Sequence, residues 1–296
     1  MSSIFDIINV PLGYLFKGIY FLVKNYGVTL ILFTVITKLI LFPLTLKQQK
    51  SMKKTQALQP KLAKLQEKYQ FDKEKLSQET MKLYQEAGVN PMGGCLPLLI
   101  QFPILIALYN IIRKPMTYVM TLSSDAIMQI YEKINGSAAA SFSHINQIDL
   151  ANQIKGSIDK VSAFVNQDSL INFDFFGFNL SQTPSFDFIA NNLHYALIPI
   201  VAGLTTYLVS FLSSKMNGNG ANQDNPAASS MKTMNVIFPL MTAWFAITLP
   251  AGLGLYWIAS NLFQIVQMAI LNNYIKVDAP VEETAPHYRE RKKKKK

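Results

Sequence analysis

The chain has 296 residues, of which 50% are hydrophobic and 16% are charged, and its mean hydropathy is +0.18. This composition excludes an ordinary soluble domain and is typical of an integral membrane protein. Cys95 is the one cysteine, so an intrachain disulfide and a cysteine-based metal cluster are excluded. The motifs GxxxxGK[ST], GxGxxG and HExxH are absent and the three histidines lie far apart. We therefore expect no enzyme active site, no metal and no cofactor.

The N-terminal segment 1–25 has apolar residues at helical spacing, with Asp6, Asn9 and Lys17 elsewhere on the helix surface. This pattern predicts an amphipathic helix that lies in the membrane interface. A short additional membrane span is the alternative, and the two charged residues and Pro11 disfavour it.

Residues 26–46 are the first predicted membrane span, with Lys38 as their only charged residue. A helix of this length reaches about 30 Å, the thickness of the hydrocarbon core of a bilayer. Lys38 would lie about 12 Å from the boundary at Leu46, where an unpartnered ammonium costs on the order of 2.5 kcal/mol or more. Two interpretations remain open: the side chain extends back to the interface, or it faces a water-filled cavity.

The block 47–95 carries ten lysines against five acidic residues. Apolar residues repeat at helical spacing on both sides of a break at 70–72, which predicts two short helices packed as a hairpin. Asp72 is expected to cap the second helix. Each arm has about two heptads, too few for a stable coiled coil, so we expect the hairpin to project from the membrane and to move. Its lysines either face solvent or bind a partner.

Four further spans are predicted from apolar runs, at 96–112, 193–214, 232–249 and 252–274. The second span contains Pro97 and Pro103, which are compatible with a kinked helix inside a bundle. The linker 215–231 is rich in glycine and asparagine and is predicted to be flexible.

The segment 113–192 has five basic and seven acidic residues, whereas the hairpin block and the tail 275–296 are rich in lysine. The positive-inside rule therefore predicts that the N-terminus lies outside and the C-terminus inside. Aromatic residues surround Gly177 within 171–188, which is typical of a strip at the outer membrane surface.

Polar residues of the spans fall mainly in their cytoplasmic halves, and those of the fifth span share an arc of about 80°. They are Thr34, Lys38, Gln101, Thr206, Ser210, Trp257, Ser260, Gln264 and Gln267. Ordinary helix packing explains the small residues well and Lys38 poorly. We therefore predict a wet cavity, open to the cytoplasm and closed outside, with one positive charge. None of the five spans contains Asp or Glu, so a carboxylate proton relay is not expected.

Four stretches of the sequence carry a family signature. They are VITKLILFPLTLKQQKSMKKTQALQPKLAKLQEKY (35–69), NPMGGCLPLLIQFPILIALYNII (90–112), FDFFGFNLSQTPS with LIPIVAGLTTYL (197–208), and FPLMTAWFAITLPAGLGLYWIASNLFQIVQ (238–267). Together they resemble the YidC/Oxa/Alb family of membrane protein insertases, from the N-terminus to about residue 275. The resemblance implies a five-helix core, a cytoplasmic helical hairpin and an amphiphilic groove that receives the polar part of a nascent membrane protein.

Lys38 occupies the position of the family's groove arginine, so the positive charge is kept as a point charge instead of a planar fork. The resemblance also implies ribosome contacts for a basic C-terminal tail, with anionic lipid as a second possible ligand. The tail residues concerned are Lys292, Lys293, Lys294, Lys295 and Lys296. The chain has no large domain before its first span and no transit peptide, so a Gram-positive-type bacterial plasma membrane is expected; the length of 113–192 is not explained by this.

The sequence thus predicts an all-α polytopic membrane protein that acts as an insertase, with or without the Sec translocon. A small-solute or ion transporter is one alternative, disfavoured by the missing carboxylates. The other alternative is an assembly factor that holds membrane subunits without inserting them.

Overall fold

The computed structural model describes residues 6–88, 96–216 and 226–275, which are mostly helical. The helices are α1 (Asp6–Val23), α2 (Tyr26–Ile40), α3 (Phe42–Ala57), α4 (Gln59–Lys68), α5 (Lys73–Glu86), α6 (Leu96–Arg113), α7 (Pro115–Tyr118), α8 (Ser124–Asn135), α9 (Gln147–Lys155), α10 (Ile158–Val161), α11 (Phe186–Asn191), α12 (Leu197–Met216), α13 (Pro226–Thr248) and α14 (Ala251–Tyr274). Strands β1 (Asp174–Phe175) and β2 (Phe178–Asn179) pair antiparallel, and short 3₁₀ helices cover Phe142–His144, Gln167–Ser169 and Leu193–Ala196.

Two stretches of the described chain are long and apolar enough to cross a membrane, Leu193–Met216 and Ala251–Tyr274. The bent pair α2–α3 makes a third if it is counted as one span. The described apolar parts of α6 and α13 are shorter. These helices establish a membrane protein, while the number of five spans stays a prediction.

The first predicted span is bent, and the expectation of one continuous helix over 26–46 was wrong. α2 ends at Ile40, α3 begins at Phe42, and their axes differ by 60°. Pro43 is the cause, because it has no N–H to donate and its ring clashes with the carbonyl four residues earlier. Along the axis of α2, Lys38 is then about 8 Å from the level of Leu46 instead of about 12 Å.

Helix α14 is the centre of the bundle, since it packs against α2, α6, α12 and α13. Helix α1 packs against α2 and α6 and buries Phe16 and Ile19, while Tyr14 on its opposite face is exposed. The ring of Phe16 contacts those of Tyr26 and Phe33, with centroid distances of 5.2 and 5.6 Å, respectively. An apolar core therefore joins α1 and α2 close to the start of α2.

Helices α4 and α5 pack against each other and have little buried surface. The Asp72 carboxylate accepts a hydrogen bond from the backbone N–H of Lys75 at 3.0 Å, as a helix N-cap does. Leu62 is the one buried residue of the two helices. The pair therefore has too few buried contacts to hold it rigidly.

We expect amide hydrogen exchange in α4 and α5 to be much faster than in α12 and α14, because weakly buried helices open locally at low free energy. Hydrogen-exchange mass spectrometry on the protein in lipid nanodiscs measures this. Exchange in α4 and α5 as slow as in α14 would contradict a movable hairpin.

Residues 115–196 form a folded region with a buried apolar core, which the sequence pattern did not predict. Its buried residues include Ile127, Ile130, Leu150, Ile154, Val161 and Phe173, and this core is continuous with that of the bundle. Helix α8 shows the local reason: Ser123 caps its first turn at 3.2 Å, and Gly136 ends it with a φ of 72°.

The β-hairpin of this region lies on the N-terminal ends of two bundle helices. The N–H of Tyr26 in α2 donates to the carbonyl of Asn172 at 3.0 Å, and the N–H of Gly252 in α14 donates to that of Leu180 at 3.0 Å. These amide groups have no partner inside their own helices. The folded region therefore closes one end of the bundle with specific hydrogen bonds.

The aromatic strip predicted at 171–188 lies only partly on the surface. Phe173 is buried, Phe175, Phe178 and Phe188 are half-buried, and Phe176 and Phe186 are exposed. Four of these six rings thus pack in or against the core. The other two are exposed, because strand and turn geometry directs neighbouring side chains to different sides.

The predicted linker 215–231 is shorter than expected. Helix α12 continues to Met216 and α13 already begins at Pro226. Proline is favourable in the first turn of a helix, where its missing N–H is not needed. Residues 217–225 lie outside the described part of the chain.

Candidate functional site

Most of the polar residues predicted to line a cavity fall into two groups: those with a hydrogen-bond partner among the described residues, and the partnerless Lys38, Gln264 and Gln267. Thr34 belongs to the first group: it is fully buried and its hydroxyl donates to the carbonyl of Leu30 at 2.7 Å. Thr206 donates to the carbonyl of Ala202 at 2.8 Å and accepts from the Asn261 amide at 2.8 Å. The Thr34 bond stays within α2, whereas the bond between Asn261 and Thr206 joins α14 to α12.

Gln101 also has a partner, since its side-chain amide donates to the hydroxyl of Tyr256. The Tyr256 hydroxyl is in addition hydrogen-bonded to Ser260, one turn further along α14. Tyr256 and Ser260 are both buried. This chain of polar groups links α6 to α14 in the interior of the bundle.

Trp257 and Ser210 lie apart from these groups. The Trp257 ring lies next to the ring of Phe245 in α13, with centroids 6.4 Å apart, so it contributes to the contact between α13 and α14. Ser210 is half-buried on α12 and makes no hydrogen bond with another described residue. The predicted stripe along α14 is therefore not one continuous polar surface.

Lys38, Gln264 and Gln267 form the second group. Lys38 and Gln264 are half-buried, and neither has a hydrogen bond or ion pair with a described residue. Gln267 is 6% exposed, and its Nε2 atom is buried without a partner among the described residues. A buried amide left unpaired costs about 1–3 kcal/mol. Hydrogen bonds among the described residues do not account for these three side chains.

The packing of α2 on α14 brings this second group to similar depths. A Cβ added to Gly252 would lie 3.3 Å from Leu30 and 3.7 Å from Tyr26, so these residues mark a common level. Both helices run from this level away from the β-hairpin, and each residue advances about 1.5 Å. Lys38 is then level with 260–264, and Gln267 lies about one turn further from the closed end.

Sequence reasoning missed three polar residues of α12 and α14. Tyr256 receives the Gln101 hydrogen bond, and the Asn261 amide reaches the hydroxyl of Thr205 at 3.1 Å as well as that of Thr206. An asparagine in the middle of an apolar span was the available signal, because such a side chain needs a partner in the membrane.

Lys53 makes another contact that the sequence did not indicate. Its ammonium donates to the carbonyls of Ile275 at 2.6 Å and Asn272 at 3.2 Å. These carbonyls are at the end of α14, where helical partners are missing and a positive charge is favourable. Lys53 thus joins α3, at the base of the hairpin, to the end of the last bundle helix. The five lysines 292–296 lie outside the described residues.

Within the described residues, no group of three or more His, Cys, Asp or Glu side chains could hold a metal ion. Lys38, Gln264 and Gln267 supply one ammonium and two amide groups in the C-terminal halves of α2 and α14. The fold defines a helical membrane protein.

Comparisons with known proteins identify the family. Residues 18–279 match the family model described as 60Kd inner membrane protein. The membrane protein insertase YidC of Fusobacterium nucleatum subsp. nucleatum is 32% identical over 267 residues, which cover 90% of this chain and 96% of that protein. The membrane protein insertase YidC 2 of Listeria innocua serovar 6a is 35% identical over 256 residues, which cover 85% of this chain and 66% of that protein.

A solved structure agrees with these relatives. The crystal structure of an active YidC insertase with its first transmembrane domain resolved is similar with a TM-score of 0.50 and 25% identity, over 93% of this chain and 48% of that one. The chain therefore spans about half the length of that insertase. It belongs to the 60Kd inner membrane protein family, to which YidC insertases belong, and the resemblance noted in the sequence is confirmed.

Proposed function

We propose that this protein inserts nascent membrane proteins into a bilayer. The family and the insertase names of the relatives support this function. The observation that carries it is a set of three polar side chains, Lys38, Gln264 and Gln267, in the C-terminal halves of α2 and α14, for which the described residues offer no hydrogen-bond partner. The N-terminal ends of both helices are covered by the β-hairpin, where the buried hydroxyl of Tyr26 is also unpaired.

In the proposed mechanism, the polar flank of a substrate enters between the helices from the cytoplasm. Lys38 attracts acidic segments, because a charge in a low-dielectric surrounding acts strongly on a nearby charge. The amides of Gln264 and Gln267 form hydrogen bonds with the substrate backbone, which would otherwise lose its water partners. The apolar segment of the substrate then partitions into lipid, and this step needs no nucleotide hydrolysis.

The proposed topology has five spans, with the N-terminus outside, the C-terminus inside and α1 in the outer interface. The spans are α2 with the first turn of α3, α6, α12, α13 and α14. The positive-inside rule supports this orientation, because α3, α4, α5 and the C-terminal tail carry most of the lysines. The hairpin α4–α5 then projects into the cytoplasm, and residues 115–196 lie outside. The membrane is proposed to be a bacterial plasma membrane.

Reconstitution tests the function. Proteoliposomes with the purified chain are expected to protect the translocated segment of a small membrane protein, made by cell-free translation, from added protease. Empty liposomes are the control. A chain that binds this substrate without protecting it would be an assembly factor, and the insertase function would be wrong.

The lysine tail is proposed to bind ribosomes or anionic lipid through screened electrostatics. Deleting residues 292–296 is expected to weaken a salt-sensitive association with ribosomes and to leave insertion partly intact. Co-sedimentation with ribosomes at low and high salt measures this. Unchanged binding at low salt would mean that the tail has no part in it. The proteoliposome insertion assay, carried out with the Sec translocon present or absent, shows whether the translocon is a partner.

A further inference from the structure

The turn of the β-hairpin carries an aromatic side chain that the fold does not use. Phe176 has a φ of 48° and Gly177 a φ of 83°, so both residues are in the left-handed region. Such turns favour Asn-Gly, and an aromatic residue there is strained. The Phe176 side chain is nevertheless 88% exposed, with an edge contact to the ring of Phe175 at 4.7 Å. Packing therefore gives no reason for phenylalanine at this position.

The hairpin is fixed to the end of a membrane helix. The ring of Phe175 packs directly on Gly27 in the first turn of α2. The side-chain amide of Asn25, which caps α2, donates to the carbonyl of Asp174 at 2.9 Å. Phe176 directly follows Phe175 and thus lies close to the level where α2 begins. In the proposed topology this is the level of the outer head groups.

The surface beside the hairpin is also aromatic. Phe186 and Trp244, the latter near the end of α13, are both exposed, and their ring centroids are 6.1 Å apart. Leu193, at the start of the 3₁₀ helix that precedes α12, is also exposed. Aromatic side chains concentrate where membrane meets water, because their rings are apolar and their edges tolerate head groups.

We propose that Phe176 is an interfacial anchor whose ring inserts among the head groups and glycerol groups of the outer leaflet. It holds the β-hairpin, and with it the closed ends of α2 and α14, at a fixed depth. A lipid surface fits this tip because its exposed area is a single apolar ring on a hairpin that is packed on the first turn of α2. The inference rests on the topology proposed for the insertase and assigns a role outside the substrate site.

Fluorescence in lipid vesicles tests the anchor. The chain has two tryptophans, so Phe176→Trp is made together with Trp244→Phe and Trp257→Phe. In vesicles of phosphatidylcholine and phosphatidylglycerol we expect blue-shifted emission and loss of quenching by aqueous acrylamide. Lipids spin-labelled near the glycerol are expected to quench more than lipids labelled at the chain end. Glu132→Trp on the exposed face of α8, in the same background, is the matched control and should remain open to acrylamide.

Red-shifted emission at position 176, with acrylamide quenching equal to that at position 132, would overturn the anchor. Phe176→Asn separates anchoring from folding, because asparagine tolerates the left-handed region. In detergent its thermal unfolding midpoint should be unchanged or higher, and a lower midpoint would assign Phe176 a structural role instead. Protease protection of a substrate is measured separately. Its failure would contradict the insertase function and leave the fluorescence result on the anchor intact.

Discussion

Replacing Lys38 with alanine is expected to reduce insertion of a substrate with an acidic translocated segment by about tenfold, because attraction to the Lys38 ammonium is lost. A substrate with an uncharged segment should lose much less. Protease protection in proteoliposomes measures both. If Lys38 only extended to the interface, its removal would leave the two substrates equally well inserted.

Lys38→Arg and Lys47→Ala are the matched controls for this experiment. Arginine keeps the charge and reaches at least as far, so insertion of both substrates should be close to normal. Lys47 is exposed on α3, just beyond the bend, and its replacement removes one charge without touching the site. Near-normal insertion of both substrates by Lys38→Ala would contradict a charged groove in this protein.

Replacing Phe173 with alanine is expected to lower the free energy of unfolding by about 3–5 kcal/mol, the usual loss for a buried phenylalanine. Phe173 is 1% exposed, and its ring lies 4.9 Å from that of Tyr26 at the start of α2. The substitution leaves a cavity between the β-hairpin and the bundle. Unfolding of the protein in mixed detergent micelles, followed by circular dichroism, measures the effect.

Phe71→Ala is the control for size and residue type, because Phe71 is 94% exposed between α4 and α5. Its replacement should change the free energy of unfolding by less than about 0.5 kcal/mol. Equal small effects of the two substitutions would mean that residues 115–196 do not stabilise the bundle.

The helical parts that sequence predicted well are those with strong local signals. Asp72 marks the start of α5, because a capping side chain acts over one turn. The bend at Leu41 was missed because apolar periodicity continues through Pro43 without a change. The fold of 115–196 was missed because its short helices are stabilised by long-range contacts, such as Phe173 on Tyr26, that no local pattern encodes.

Residue type alone singled out the polar side chains of the candidate site, and their hydrogen bonding could not be predicted. Lys38 and Gln267 were identified because charged and amide side chains are expensive in apolar helices. The sequence does not tell which of these groups have partners, and Thr34 and Gln101 looked equivalent to them. The distinction depends on neighbours from distant segments, as the hydrogen bond between Gln101 and Tyr256 shows.

Site-specific photocrosslinking during insertion tests the central claim most directly. A photoreactive amino acid at Gln264 should crosslink to the acidic flank of a stalled nascent membrane protein, because this side chain is half-buried and unpaired at the level of Lys38. The same amino acid at Leu262, an exposed apolar position on α14, should give little crosslinking to that flank. Strong crosslinking of the flank at Leu262 with none at Gln264 would contradict a polar substrate site between the helices.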